Sequence, residues 1–276
     1  MAKWQYEVPA LAQACPPLMH ALLGTAAAHQ HSAISDGEQH QQLLQTARHH
    51  YGRALNLAAT SLHTQDADAL FCFSILTSIL TLYLERLKPL QEANAIGDLI
   101  SVMQVLHAAR GILDSLSPEL HQSSIAGTLL SHTWSHNPQA PDYSASVALD
   151  HLDAVVARYG SRATTSQEDY SVLVESISKL RYFFSLTSPN PTSWQYLMSW
   201  PVKLGPDFCV LLQQYHPIAL CILAHWCVSM YNAPVRWFAG DWPRLLMLSI
   251  QQRIDNTEWS DAILWPLRET LYQAYP

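Results

Sequence analysis

Between Tyr215 and Trp242 the chain reads YHPIALCILAHWCVSMYNAPVRWFAGDW, and no Asp, Glu, Lys or Arg occurs from Tyr215 to Pro234. Pro217 stands where a proline opens a helix, its φ already fixed and its missing N–H not needed there. From Ile218 to Tyr231 apolar residues fall on every face, the pattern of a helix buried all round. Such a segment forces the remaining chain to wrap it. Its strong polar handles are His225 and Tyr231; Trp226 and Met230, one and four positions beyond His225, border the same face. A greasy wall with few polar groups suits a small-molecule pocket, and it equally suits an ordinary core.

The whole composition leans the same way. Hydrophobic residues make up 49% of the 276 and charged residues 13%, against roughly 25% charged in ordinary soluble chains. That length suffices to bury most of the apolar surface without staples. The fifteen Lys and Arg are spread thinly under a net charge of -7, so no basic stripe is present to neutralise phosphates and direct nucleic-acid binding is not expected. Five cysteines, Cys15, Cys72, Cys209, Cys221 and Cys227, lie in apolar runs without CxxC spacing and read as reduced core residues of an intracellular protein. The start MAKWQYEVPALAQ lacks the apolar core of a secretory signal. The long apolar runs, around 69–84 and 217–231, fall short of a membrane span on this reading, and a cytoplasmic or nuclear protein is expected.

The period of the sequence is helical nearly throughout, with no sustained alternation and no hairpin turn, which predicts an all-α fold. Pro9 opens a first helix running to Ala28, interrupted at Pro16-Pro17, and 29–38 reads as a polar loop. A helix over 39–63 puts Leu43, Ala47, Tyr51, Ala54, Leu55, Ala58 and Leu62 on one face. Residues 66–87 form a second helix with little polar face. A helix from Pro89 to Leu116 follows, stopped by Ser117-Pro118. The loop 136–144, with two prolines, is the best internal boundary in what reads as one domain over 1–276. Further helices are expected at 145–159, 167–187, 217–231, 242–255 and 258–274, with a proline-broken run at 188–206 leading into the buried 217–231 helix. Trp259 and Trp265 pack the tail onto the core.

Segments PALAQACPPLMHALLGTAAAH, HYGRALNLA, DALFCFSILT, HAARGIL, HPIALCILAHW and VRWFAGDW, then ILW and Pro266, resemble in their order and spacing the C-terminal effector domain of fungal binuclear zinc-cluster transcription factors, the sterol-uptake regulator branch in particular. The resemblance implies a single multi-helix orthogonal bundle with a hydrophobic ligand pocket. The repeated CxxCxxxxxxC zinc cluster of those regulators is not found in this sequence. With the family's usual preceding helix also missing, a stand-alone protein is expected, similar to the hetero-Diels-Alderases of fungal tropolonic sesquiterpene biosynthesis. That likeness implies a cofactor-free pericyclase: water is lost from a hydroxymethyl tropolone or phenol, and the resulting o-quinone methide adds to a humulene-type alkene. The alternative is a lipid- or sterol-sensing regulatory domain. Either way the expected partner is a hydrophobic small molecule, terpenoid or polyketide-derived, with no membrane and with a homodimer left open.

A pericyclic step asks for alignment of two apolar partners and exclusion of water; the preceding dehydration adds a general acid and a donor for ring oxygens. His107, Tyr231 and His225 are the candidates for that acid-base work. Phe71, Ile75, Tyr83, Met103, Arg110, Trp226, Met230 and Trp237 are the candidates for lining the ligand. His225 and Arg110 occupy positions matching the wider family, so packing and ion pairing compete with a chemical role there. His107 and Tyr231 are balanced between pocket and core, and the tryptophans favour packing. His132 and His136 share a helical spacing but no HExxH motif or third ligand accompanies them, and no metal is expected. His29, His31, His40, His49 and His50 read as solvated. Neither a GxSxG elbow nor a phosphate-cradling glycine loop is present.

Overall fold

The computed structural model describes residues 3–61, 67–88, 94–114, 125, 138–187 and 194–272, and every regular element among them is helical. The helices are α1 (Val8–Ala14), α2 (Pro16–Ala33), α3 (Glu38–Ser61), α4 (Ala67–Glu85), α5 (Ala95–Asp114), α6 (Tyr143–Gly160), α7 (Gln167–Thr187), α8 (Trp194–Lys203), α9 (Pro206–Gln213), α10 (Pro217–Tyr231), α11 (Trp242–Ile254) and the single turn α12 (Leu264–Leu267). A π turn at Lys3–Glu7 precedes α1, a 3-10 turn at Ser260–Ile263 precedes α12, and a π turn at Arg268–Tyr272 follows it. The all-α reading holds among the described residues.

These helices form two compact units. The first is drawn from Met1–Ala93, Ser101–Trp134 and Arg236–Gly240; the second from Asn94–Ile100, Ser135–Val235 and Asp241–Pro276. In the first unit α2 packs on α1, α3 and α4. Small residues permit that close approach: Ala21, Ala27 and Ala28 are buried on α2, and a Cβ at Gly24 would stand 3.1 Å from Leu80 Cδ1 and 3.3 Å from His50 Cβ. Helix α4 buries Phe71, Cys72, Phe73, Leu76 and Leu80 together with three hydroxyls. Ser74, Thr77 and Ser78 return their protons to carbonyls of Phe71, Phe73 and Ser74, which satisfies them inside the helix.

The second unit is built round α10, as the uncharged stretch requires. Every residue from Ile218 to Met230 is buried, and α6, α7, α9, α11 and the 260–272 turns pack against it. Tyr215, with φ 53°, turns the chain through 107° from α9 into α10, while the His216 N–H bonds back to the Leu211 carbonyl. A left-handed tyrosine is strained, and here the Arg253 guanidinium covers its ring at 3.7 Å. Trp226 donates to the Leu197 carbonyl (3.0 Å), Trp200 to that of Ser176 (3.3 Å) and Trp265 to Ser144 Oγ (2.6 Å). Each buried indole N–H of this set therefore has a partner, the usual condition for placing tryptophan inside.

Several boundaries differ from expectation. Residues 29–33 continue α2 instead of opening the polar loop. The proline-broken run carries two helices, α8 and α9, because Pro206 sits at N1 of α9 where it costs no hydrogen bond. The tail is three short turns and not one long helix. Leu55, placed on the apolar face of α3, is 39% exposed. Helix α4, at 19 residues and mean hydropathy 1.8, has the length and composition of a span, contrary to the sequence estimate; most of it is buried inside the protein. All four of Cys72, Cys209, Cys221 and Cys227 are buried thiols, and Cys15 is a half-buried one. The expected helix end at 115–116, the pattern over 118–136 and the pair His132 and His136 lie outside the described residues.

Candidate functional site

A polar cluster set in an apolar core lies in the first unit, centred on Tyr83 of α4. Tyr83 and Leu80 belong to a small core with Ala27, Ala28, Ala47 and Leu84, against which Leu43, Tyr51, Trp237 and Phe238 pack. The Tyr83 hydroxyl lies 2.5 Å from Nδ1 of His31, and both residues are buried. Arg86, in the turn just beyond α4, places its guanidinium carbon 4.9 Å from the Tyr83 ring centre. Trp237 sits on the other aromatic contact, 5.1 Å from the Tyr83 ring, with His29 edge-on to the indole at 5.0 Å. His40 of α3 stacks on His31 at 3.7 Å.

The bond directions follow from the donor inventory. The one arrangement that leaves no phenol hydrogen idle has Tyr83 donate to His31 Nδ1, which puts the imidazole proton on Nε2. That Nε2, His40 Nδ1 and Arg86 Nε are all buried without a hydrogen-bond partner. Burial first, then the charges of His40, Arg48 and Arg86, hold the His31 pKa below the ordinary imidazole value. Burial raises that of Tyr83, offset in part by Arg86. The cluster is thus a neutral imidazole and a neutral phenol under a fixed cation, able to pass a proton or to donate to an oxygen.

The glycine at the edge of this cluster takes a left-handed turn close beside Arg86. Gly240 has φ +49°, and a Cβ there would stand 1.9 Å from Arg86 Nη1. Glycine alone lets the backbone turn left-handed that close to the guanidinium.

Of the sequence-derived ligand candidates, Tyr83 and Trp237 are brought together here. Phe71 and Ile75 belong to the neighbouring core of the same unit, with Val8, Leu18, Cys72 and Leu76. Met103 is buried on α5, and His107 and Arg110 are half-buried on the same helix. His225, Trp226, Met230 and Tyr231 share α10 in the second unit. His225 donates from Nδ1 to the Cys221 carbonyl (2.8 Å) and stacks on Trp265 with ring centres 5.5 Å apart. Complete burial lowers its pKa to about 4, and burial pushes the Cys221 thiol up to about 12. Trp226 and Met230 are buried, and Tyr231 is half-buried at the end of the helix.

Three histidine readings are corrected, those of His31, His40 and His50. His31 is 4% exposed and bonded to Tyr83, not solvated. His50 is half-buried and meets His20 Nδ1 to Nδ1 at 2.8 Å, with burial first and the nearby cations next lowering both pKa values. His40 is half-buried, whereas His29 and His49 are exposed. A signal was available: His31 falls on the α2 stripe one turn beyond Ala27 and Ala28, visible once α2 runs past residue 28. Among the described residues no three of His, Cys, Asp and Glu group as metal ligands.

Comparison with known proteins gives one match. No curated protein and no solved structure matches the chain. The family model described as the fungal specific transcription factor domain matches residues 2–137, the stretch that holds His31, His40, Tyr83 and Arg86. Over that stretch the chain is similar to the fungal transcription-factor domain.

Proposed function

We propose that this chain is a regulatory effector module of the fungal transcription-factor type, which binds a hydrophobic small molecule and changes its activity in response. The observation that carries this reading is the position of the Tyr83 cluster: a set of oriented polar groups within an apolar core, inside the stretch similar to the transcription-factor domain. Ligand sites combine an apolar lining with a few fixed polar groups in this way. The likeness of HPIALCILAHW and VRWFAGDW to the sterol-uptake branch makes a sterol or related lipid the first ligand to test. The chain fused to a heterologous DNA-binding domain drives a reporter whose output changes between sterol-replete and sterol-depleted cells. Output equal to that of the DNA-binding domain alone in both conditions contradicts the proposal.

A pericyclase of the hetero-Diels-Alderase type is the second reading, resting on sequence likeness. It uses the same apolar surroundings with no cofactor, in a cytoplasmic setting where the regulator would be nuclear. On that reading His107→Ala and Tyr231→Phe lower turnover without unfolding the protein. Incubation with a hydroxymethyl tropolone and a humulene-type alkene decides it: a single stereoisomer supports the enzyme, and a racemic product at the buffer-only rate removes it.

A further inference from the structure

We propose that the His31–Arg86 cluster of the first unit is a binding site for a small organic carboxylate with an apolar body, its oxygens accepting from His31 Nε2 and Arg86 Nε. The site goes beyond the sterol response proposed above, and it rests on the effector reading only for its biological meaning.

Three observations converge on that class. First, with the Tyr83 hydroxyl donating to His31 Nδ1, the His31 proton lies on Nε2, a buried donor with no acceptor. Arg86 Nε is a second buried donor in the same condition. Donors of this kind are rare in folded interiors, because each forfeits its hydration without recompense. What they lack is an acceptor.

Second, the charges acting on His31 are all of one sign: His40, Arg48 and Arg86. Glu85, the acid next to Arg86 in sequence, is paired with Lys88 instead. A half-buried guanidinium beside two imidazoles and a phenol is a set of donors that a planar anion satisfies, and arginine geometry suits carboxylate in particular. Third, the surroundings are apolar and aromatic. Leu43, Leu44, Leu87, Trp237 and Phe238 pack on the same small core, so a ligand reaching the two donors carries a hydrophobic body rather than a second charge.

The orphaned nitrogens are sealed from solvent in this conformation, so binding requires a neighbour to move. Trp237 is half-buried against Tyr83 and is carried on the turn 237–240, not on a helix. It is the side chain whose displacement opens the cluster at least cost to the helical packing.

The test is calorimetric binding of 1-naphthoate to the 276-residue chain, with neutral 1-naphthamide of the same shape as control. Naphthoate binds at one site per chain, and the amide binds about tenfold more weakly or worse, the effect of losing one charge-assisted hydrogen bond. Arg86→Met weakens naphthoate by about tenfold or more and leaves the amide unchanged. His31→Gln, which keeps a donor on a shorter stem, weakens it less than His31→Phe. Equal binding of acid and amide, no binding of either, or naphthoate binding unaffected in Arg86→Met overturns the site. Circular dichroism of each variant separates lost binding from lost folding; if Arg86→Met unfolds, Arg86→Lys replaces it with the same expected order. Failure here leaves the sterol response of the reporter intact, and failure of the reporter leaves naphthoate binding intact, so the two proposals fail separately.

Discussion

The Tyr83 hydroxyl and His31 Nδ1 meet at 2.5 Å, tying α4 to the last turn of α2 by a buried bond between residues 52 positions apart. The bond orders its neighbours as well: with the phenol donating, the imidazole proton lies on Nε2, while the Arg86 guanidinium stands over the phenol ring. Tyr83→Phe removes the hydroxyl and strands His31 Nδ1. A loss of about 1–3 kcal/mol in unfolding free energy is expected, the cost of leaving buried polar groups unmet. Urea denaturation reads it as a lower midpoint with unchanged slope; an unchanged midpoint removes the hydrogen-bond account.

Gly240→Ala tests the seat of Arg86. With φ +49° and a Cβ 1.9 Å from Nη1, alanine strains the turn and pushes the guanidinium off the Tyr83 ring. The expected cost is about 1–3 kcal/mol. Gly52, where a Cβ meets nothing within 4 Å, is the control, and Gly52→Ala stabilises its helix by about 0.5–1 kcal/mol. Equal effects of the two substitutions on the thermal midpoint contradict the close approach.

His225 gives the second unit a defined acid sensitivity. Its pKa falls from 6.5 in the unfolded chain to about 4 in the fold. Above pH 6.5 both states hold it neutral and it adds no pH dependence. Between pH 6.5 and 4 the unfolded state takes up a proton that the folded state refuses, so stability declines by about 1.4 kcal/mol per pH unit. The total is about 3 kcal/mol at pH 4. Denaturation curves over that range for the wild type and His225→Leu read the effect: the variant loses this slope, and identical slopes exclude a neutral buried imidazole.

Trp226→Ala tests whether α10 is a packed wall. Trp226 is fully buried, lies 5.8 Å ring to ring from Trp200 and donates to Leu197. Truncation costs about 3–5 kcal/mol. A variant as stable as the wild type means that the indole fills no core.

Much of this fold is legible in the sequence, and the reasons are local. The range 217–231 is recovered residue for residue because Pro217 marks its start and the uncharged run its extent. The range 167–187 is likewise recovered from its apolar period. The run 188–206 reads as irregular because its prolines mask α8 and the start of α9; Pro201 lies inside α8, which a period argument counts against a helix. The site was half legible. Tyr83 and Trp237 stand out as aromatics on apolar segments, but their partners His31 and Arg86 do not. His31 looks solvated among HQHSAISDGE until α4 is folded across α2, a contact of long sequence separation that no local pattern encodes. Arg86 is called to the phenol by the turn at Gly240, a distance of more than a hundred residues along the chain.

The most direct test of the account is the reporter fusion measured in sterol-replete and sterol-depleted cells. The account predicts that its output changes with sterol supply. A wild-type fusion whose output matches the DNA-binding domain alone under both conditions contradicts it.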